Sequence, residues 1–408
     1  MLDVLIIGAG PSGLFAAEQL SAKGLCVRIC DKMASPARKF LMAGRGGLNL
    51  THSEDLSAFM GRYREATGFL APLIEAFPPN ELRRWCDGHG GETFTGTSGR
   101  VFPKAMKASP LLRAWLRRLE AQGVSMTLRA EFAGLDEKGK ALIAENGKPA
   151  EAVPARAVLL ALGGGSWPKL GSNAGWVPHL EECGIHISPF EPANCGFEVA
   201  WSDHLTSRFS GFPLKRIRLS LGEDTVFGEA IVSDRGLEGG AVYAISASIR
   251  QHIKEHGQTD ILLDLRPEQT HDSLAAKLAK PRGKQSMATF LKKTLKLLPV
   301  EQALLREPGP LPATPEDLAA RIKALKISCK KPYPIDRAIS SAGGIALNEV
   351  DDRLMLKKVP GVFAAGEMLD WEAPTGGYLL QACFATAFRA AAGIEDYLKQ
   401  TKDKAYAS

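Results

Sequence analysis

Nothing in the 408 residues approaches the run of about 18 apolar residues that a membrane-spanning helix needs. A strand pattern already begins at residue 2 and leaves no room for a signal peptide, so a soluble cytoplasmic protein with no membrane partner is expected. The seven cysteines form no C-x-x-C pair. Cys26 and Cys30 fall on one face of an expected strand and read as buried apolar thiols, which argues against a disulfide or metal framework. No cysteine lies between Cys30 and Cys86, where a disulfide reductase would carry its redox pair after a first βαβ unit. Charge of one sign is also scarce, with 51 Lys and Arg against 45 Asp and Glu, a net +6. The basic residues are scattered, with short clusters such as Lys292-Lys293 and Lys330-Lys331 that read as solvated faces, so a nucleic-acid partner is not expected. At 45% apolar and 24% charged residues the chain has ordinary globular composition, and its length allows two or three domains.

What is present is concentrated at the start. An apolar run over Val4–Ile7 enters Gly8-Ala9-Gly10-Pro11-Ser12-Gly13, which opens into Leu14-Phe15-Ala16-Ala17. This reads strand, glycine turn, helix. Gly8 permits the tight turn, Gly10 lets a pyrophosphate approach the backbone, and Gly13 lets helix pack on strand. The helix starts at Pro11, which has no N–H, and the free N–H groups from Ser12 onward face the anion. A second strand over residues 25–29 runs to Asp31, which lies 18 residues past Gly13, close to the spacing of about 20 at which a carboxylate caps a ribose hydroxyl. Fingerprint, strand, helix, second strand and terminal acid together call for an adenine dinucleotide.

Lys32 follows, then Arg38-Lys39-Phe40-Leu41-Met42 and the loop Gly44-Arg45-Gly46-Gly47-Leu48-Asn49, which reads as a glycine loop closing over phosphate. His52 stands just beyond it, where a covalent flavin link is conceivable but not expected. Helical spacing marks residues 59–63, 70–77, stopped by Pro78-Pro79, and 110–123. Strands are expected at 125–132, with Phe132 as a further candidate contact of the cofactor, and at 141–144. A buried parallel strand over 157–162 runs into Gly163-Gly164-Gly165, a second close approach of backbone. No second G-x-G-x-x-G follows, so no separate nicotinamide domain can be placed.

From about residue 189 short alternating strands (195–199, 214–219, 226–232, 261–265) point to an antiparallel sheet or barrel. His252-Ile253-Lys254-Glu255-His256 spells H-x-x-E-H, but Gly257 stops that helix at once and zinc is not expected. Helical periodicity then dominates 272–325. Strand texture returns at 338–345 and again in an apolar run ending at Gly366-Glu367, which would bring a carboxylate back to the mouth of the first sheet. Thr375-Gly376-Gly377-Tyr378 leads into a helix through Leu379 and Leu380, whose N-terminus offers N–H groups to an electron-rich ring edge.

On Gly8 to Gly13, Arg38 to Met42 with its glycine loop, Ala161-Leu162-Gly163-Gly164, Ala365-Gly366-Glu367-Met368-Leu369-Asp370 and Pro374-Thr375-Gly376-Gly377-Tyr378, the chain resembles the HI0933-like (BaiN/YhiN-type) family of NAD(P)/FAD-dependent oxidoreductases. The resemblance covers essentially the whole chain. It implies an α/β fold, a Rossmann-like FAD-binding domain split in sequence (1–187 and 335–400) by an antiparallel β-rich insert (188–334) with a small helical subdomain at about 270–326. Two departures stand out. Gly44-Arg45-Gly46-Gly47-Leu48-Asn49 replaces a Gly-Gly-Gly-Arg-Cys-Asn pattern, and Asp234 stands in Ser233-Asp234-Arg235-Gly236 where the family pattern has His.

The resemblance further implies FAD as cofactor, with NAD(P)H as a transient electron donor. Hydride would pass through flavin N5 to or from a small organic substrate held between FAD domain and insert, with reduction or dehydrogenation of a carbon–carbon bond as the reaction class. The competing reading is a non-catalytic flavin-binding or RNA-modification accessory protein.

Overall fold

The structure, a computed structural model, describes residues 2–44 and 46–407, with side chains through residue 401. Arg45 lies outside the described residues. The chain divides into two compact units, residues 1–191 with 340–408, and residues 192–339. The sequence placed these divisions at 187/188 and 334/335.

The first unit is built on a five-stranded parallel sheet. Its strands are β1 (Val4–Ile7), β2 (Val27–Asp31), β3 (Ser125–Leu128), β4 (Ala157–Leu160) and β5 (Val362–Ala364), in the spatial order β5-β4-β1-β2-β3. Val4 pairs with Val27 on one side and Ala157 on the other, and Val158 with Val362. All four residues of β1 are buried, as a strand covered by helices on both faces must be. The chain moves outward from β1 to β3, then returns to the other side for β4 and β5. This reversal beside β1 opens a crevice at the carboxyl ends of the strands, where open α/β sheets bind ligands.

Helix α1 (Pro11–Ser21) follows β1, with proline in its first turn and Leu14, Phe15, Ala16, Ala17 and Leu20 buried. Three more helices pack in this unit: α2 (Arg38–Ala43), α3 (Ala108–Ala121) and α4 (Tyr378–Ala407). Phe384 of α4 lies 4.8 Å from Phe15 and 5.7 Å from Trp115 of α3, so the last helix closes the core of the first unit.

Three local expectations change. The strand foreseen over 125–132 breaks at Arg129, whose left-handed φ of 56° ends β3; residues Ala130–Leu135 join a separate antiparallel sheet with Ala141–Glu145. Pro79 does more than stop a helix, since it opens the next one, Pro79–Gly88, as its N1 residue. Cys26 is exposed, because β2 begins only at Val27, while Cys30 is buried as expected.

The second unit has its own core around a six-stranded antiparallel sheet, in the order Phe197–Glu198, Gly236–Glu238, Asp224–Val232, Phe212–Leu221, Thr259–Asp264, Leu325–Cys329. Four helices over His271–Leu278, Met287–Leu295, Pro299–Leu304 and Pro315–Lys323 form the expected helical part. The helix carrying His252 and His256 ends at Gly257, at φ 79°. Among the described residues no helix is long and apolar enough to cross a membrane.

Candidate functional site

The crevice beside β1 is a cleft whose walls include Gly8, Gly10, Pro11, Ser12, Asp31, Lys32, Lys39, Phe132, Gly163 and Glu367. The three fingerprint glycines do different work there. A Cβ on Gly8, at φ 107°, would lie 2.2 Å from the Ala161 carbonyl oxygen, and one on Gly13 would lie 1.9 Å from that of Gly8. Those two are packing glycines, one between strand loops and one between helix and turn. Gly10 has extended backbone (φ −81°, ψ −178°) and a Cβ there would meet nothing within 4 Å. Its missing side chain leaves the cleft floor open. Gly10 is also the N-cap of α1 and supplies no side-chain cap, so the first-turn N–H groups remain for an anion.

Asp31, at the end of β2, accepts N–H bonds from Ala9 (2.7 Å) and Met33 (2.7 Å), one on each oxygen. The acid therefore fixes the glycine turn as well as facing the cleft. Burial pushes its carboxyl above the ordinary range, and the two N–H bonds with the nearby Lys32 and Arg38 charges oppose that. The Lys32 ammonium, lowered by burial, donates to Asn173 Oδ1 at 2.5 Å across the rim. Gly163, at φ 71°, is held from behind: Trp176 Nε1 donates to its carbonyl at 3.0 Å.

Opposite Asp31, Lys39 Nζ bonds both oxygens of Glu367 (2.8 and 2.7 Å) and Ser166 Oγ (2.7 Å). Glu367 is almost fully buried and also accepts from the Ser341 N–H at 3.0 Å. The lysine foreseen over phosphate is thus paired with the acid foreseen beside a sugar. A buried carboxylate and a half-buried ammonium within reach neutralise each other in preference to remaining separately desolvated. Gly366 (φ 84°) permits this turn, since a Cβ would lie 2.4 Å from Ser12 Oγ, and Ser12 Oγ donates to the Cys383 carbonyl at 3.1 Å. So the returning segment seals the start of α1. Burial pushes the Cys383 thiol, on the cleft wall, up to about 12, and it is inert.

The other foreseen residues are not on that wall. Gly377 (φ 96°) presses against Thr51, where a Cβ would stand 2.5 Å from the Thr51 Cα, and Gly376 (φ 135°) is held under the Tyr378 ring. Tyr378 donates to Glu54 at 2.5 Å, stacks on His52 at 5.6 Å, and its carbonyl accepts from Tyr63 OH at 2.8 Å. Leu379 and Leu380 pack on the core, and Thr375 is half-buried. Gly44 touches Ala108, whereas Gly46 is exposed and free of neighbours. His52 has Nε2 against the Ser98 carbonyl at 2.9 Å and accepts the Glu54 N–H on Nδ1 at 3.2 Å, so neither ring nitrogen stands as a nucleophile for a covalent link.

These positions fit FAD on two observations. Gly10 leaves a cradle above a free helix N-terminus, and Asn49 Oδ1, two residues before Thr51, is a buried acceptor with no partner among the described residues. An acceptor left so costs about 1–3 kcal/mol unless a donor arrives, and a flavin carries N–H and hydroxyl donors. Sequence reasoning missed Trp176, Ser166, Ser341 and Asn173. Only Ser166, three residues past Gly163, sat beside a signal that could have found it.

A family model described as the HI0933-like protein Rossmann domain matches residues 2–393. The chain is 28% identical to the 3-dehydro-bile acid delta(4,6)-reductase of Clostridium scindens, over 94% of this chain and 97% of that protein. It is 26% identical to the ribosomal RNA dihydrouridine synthase of Escherichia coli, over 95% and 97%. Among solved structures, a flavocytochrome c3 fumarate reductase in its open conformation superposes with a TM-score of 0.53 at 15% identity, covering 97% of this chain and 78% of that one. A 3-ketosteroid-delta4-(5alpha)-dehydrogenase of Rhodococcus jostii does so with 0.51 at 15%, covering 97% and 96%. These two show the fold. The family match runs unbroken through both halves of the cleft, and the chain belongs to the HI0933-like family of FAD-dependent oxidoreductases.

Proposed function

We propose that the chain reduces a carbon–carbon double bond conjugated to a carbonyl, with NAD(P)H as transient reductant and FAD held in the cleft beside β1. The observation that carries this reading is what two near-full-length relatives have in common. A delta(4,6)-reductase of a 3-dehydro steroid and a synthase of dihydrouridine both name the saturation of a C=C bond next to a C=O group. Bound FAD supplies a two-electron hydride carrier. The chain's own part is to hold it: the α1 N-terminus for the pyrophosphate, Asp31 for the adenosine ribose, Glu367 with Lys39 on the opposite wall, and Asn49 with the Thr375–Tyr378 turn for the ring end. A second dinucleotide domain is not needed if the nicotinamide visits and leaves, and a cytoplasmic setting belongs to the same proposal.

Under anaerobic conditions NADH or NADPH should bleach the bound flavin, and one of a panel of conjugated enones, including a 3-oxo-4-ene steroid and uridine-containing RNA, should restore its colour. Flavin that neither nucleotide bleaches, or that no enone reoxidises, would leave the accessory-protein reading in its place.

A further inference from the structure

The net charge is not shared between the two units. Residues 192–339 carry 22 Lys and Arg against 17 Asp and Glu, a net +5, while the rest carries 29 against 28, a net +1. Within the second unit the excess is local: between Asp272 and Glu301 the chain holds seven basic residues and no acid. The scatter seen along the sequence becomes a patch in space, because this stretch is one helical hairpin, His271–Leu278, an exposed loop, and Met287–Leu295.

Most of the hairpin's large apolar residues are spent inward, with Leu298, just beyond it, half exposed. Leu274, Leu278, Phe290, Leu291 and Leu295 are buried in the core of the second unit. Outward stand Lys280, Lys284, Lys292, Lys293 and Lys296, all exposed and without an acidic partner among the described residues. Lys292 and Lys293, in the last turn of the second helix, suit its dipole, while the cations of the loop do not. Lys284, with Arg282, flanks the positive end of the helix that begins at Met287, where the dipole disfavours cations. A bound polyanion relieves that conflict.

We propose that this face docks RNA through its phosphate backbone. An anionic membrane fits less well, since lying in a bilayer interface requires an apolar face beside the charges, and here that face is buried in the core. The segment exposes no aromatic ring for base stacking, so its contacts position a strand and do not read sequence. RNA is also a carrier of the conjugated C=C bond in the reductase reading; the proposal leans on that reading only for the purpose of docking, not for docking itself.

The test uses the full-length, FAD-loaded protein and a fluorescently labelled uridine-containing RNA hairpin, followed by anisotropy over a range of KCl. The wild type should bind with log K falling linearly in log salt, with a slope near −3.5 to −4.5 for about five neutralised phosphates. The variant K280Q/K284Q/K292Q/K293Q/K296Q, checked for unchanged flavin content and melting, should lose at least about tenfold in affinity and most of the slope, while NADH or NADPH still bleaches its flavin at the wild-type rate. Equal affinity and slope for the variant would overturn the proposal. So would absence of RNA binding by the wild type, with or without binding to phosphatidylserine vesicles. A wild type that binds RNA yet never reoxidises with any enone would sink the reductase reading and keep the docking face.

Discussion

Replacing Gly10 and Gly13 separately by alanine should split cofactor binding from folding, although both sit in one fingerprint. At Gly13 the new methyl would lie 1.9 Å from the Gly8 carbonyl oxygen and 3.3 Å from Ile6 Cγ2. The obstacle is backbone, so α1 must lift from β1. Overpacking of this kind costs about 1–3 kcal/mol, at the upper end for a rigid obstacle, and the helix-propensity gain of Ala over Gly returns about 1. The net is about 2 kcal/mol, or about 4–8 °C in Tm for a unit of this size. At Gly10 the backbone is extended and a methyl meets nothing within 4 Å, so the flavin-free protein should lose only the preference of an N-cap for Gly over Ala, about 0.5–1 kcal/mol, less than at Gly13. The same methyl stands where a pyrophosphate must approach the α1 N–H groups. Losing charge-assisted bonds there is worth about 1.5–3 kcal/mol, about 10- to 100-fold in affinity. Melting of flavin-stripped proteins and FAD titration by fluorescence quenching read the two effects. Wild-type FAD affinity in Gly10→Ala, or unfolding of that variant without a ligand, would refute the division of roles.

Asp31→Asn leaves one oxygen to accept the Ala9 or the Met33 N–H and turns an amide NH2 toward the other, so it should weaken FAD binding by about 1.5–3 kcal/mol and also destabilise the flavin-free protein by about 1–3 kcal/mol through the lost turn bond; isothermal titration reads the first effect and thermal melting the second. Glu367→Gln strands the Lys39 ammonium and should destabilise the flavin-free protein by about 1–3 kcal/mol, whereas Lys39→Met with Glu367→Gln should cost less than the two single changes summed, a coupling visible in a double-mutant cycle by urea unfolding. Glu349 is held below its ordinary value of 4.5 by the Lys358 ammonium at 2.8 Å and the His186 N–H. A depressed folded-state pKa adds stability that is present above about pH 4.5 and fades as pH falls below it, so Glu349→Gln should lower Tm at neutral pH and converge with wild type in acid.

What the sequence made legible was local. The glycine turn, α1, β2 and Asp31 are neighbours in the chain, and each carries a residue type that its geometry requires. Gly366 and Glu367 were legible for a similar reason, an apolar strand ending in glycine and acid. The Lys39–Glu367 pair was not, because 328 residues separate its members and no pattern at either end names the other. Trp176 was missed because a tryptophan hydrogen-bonded behind a glycine loop looks like any core tryptophan in sequence. The break at Arg129 also left no trace, since an arginine in left-handed conformation is imposed by the two sheets that diverge there and not by its own preference. The concentration of positive charge escaped notice because charges that are spaced along the chain become neighbours only once two helices fold back on each other.

The central claim is that the cleft between the α1 N-terminus, Asp31 and Glu367 is built for an adenine-bearing flavin. Its most direct test is to denature the purified protein with acid and identify by mass what is released into the supernatant. FAD, in about one copy per chain and with none left on the precipitated protein, is the predicted result. FMN, NAD or flavin that stays covalently on the chain would contradict the account.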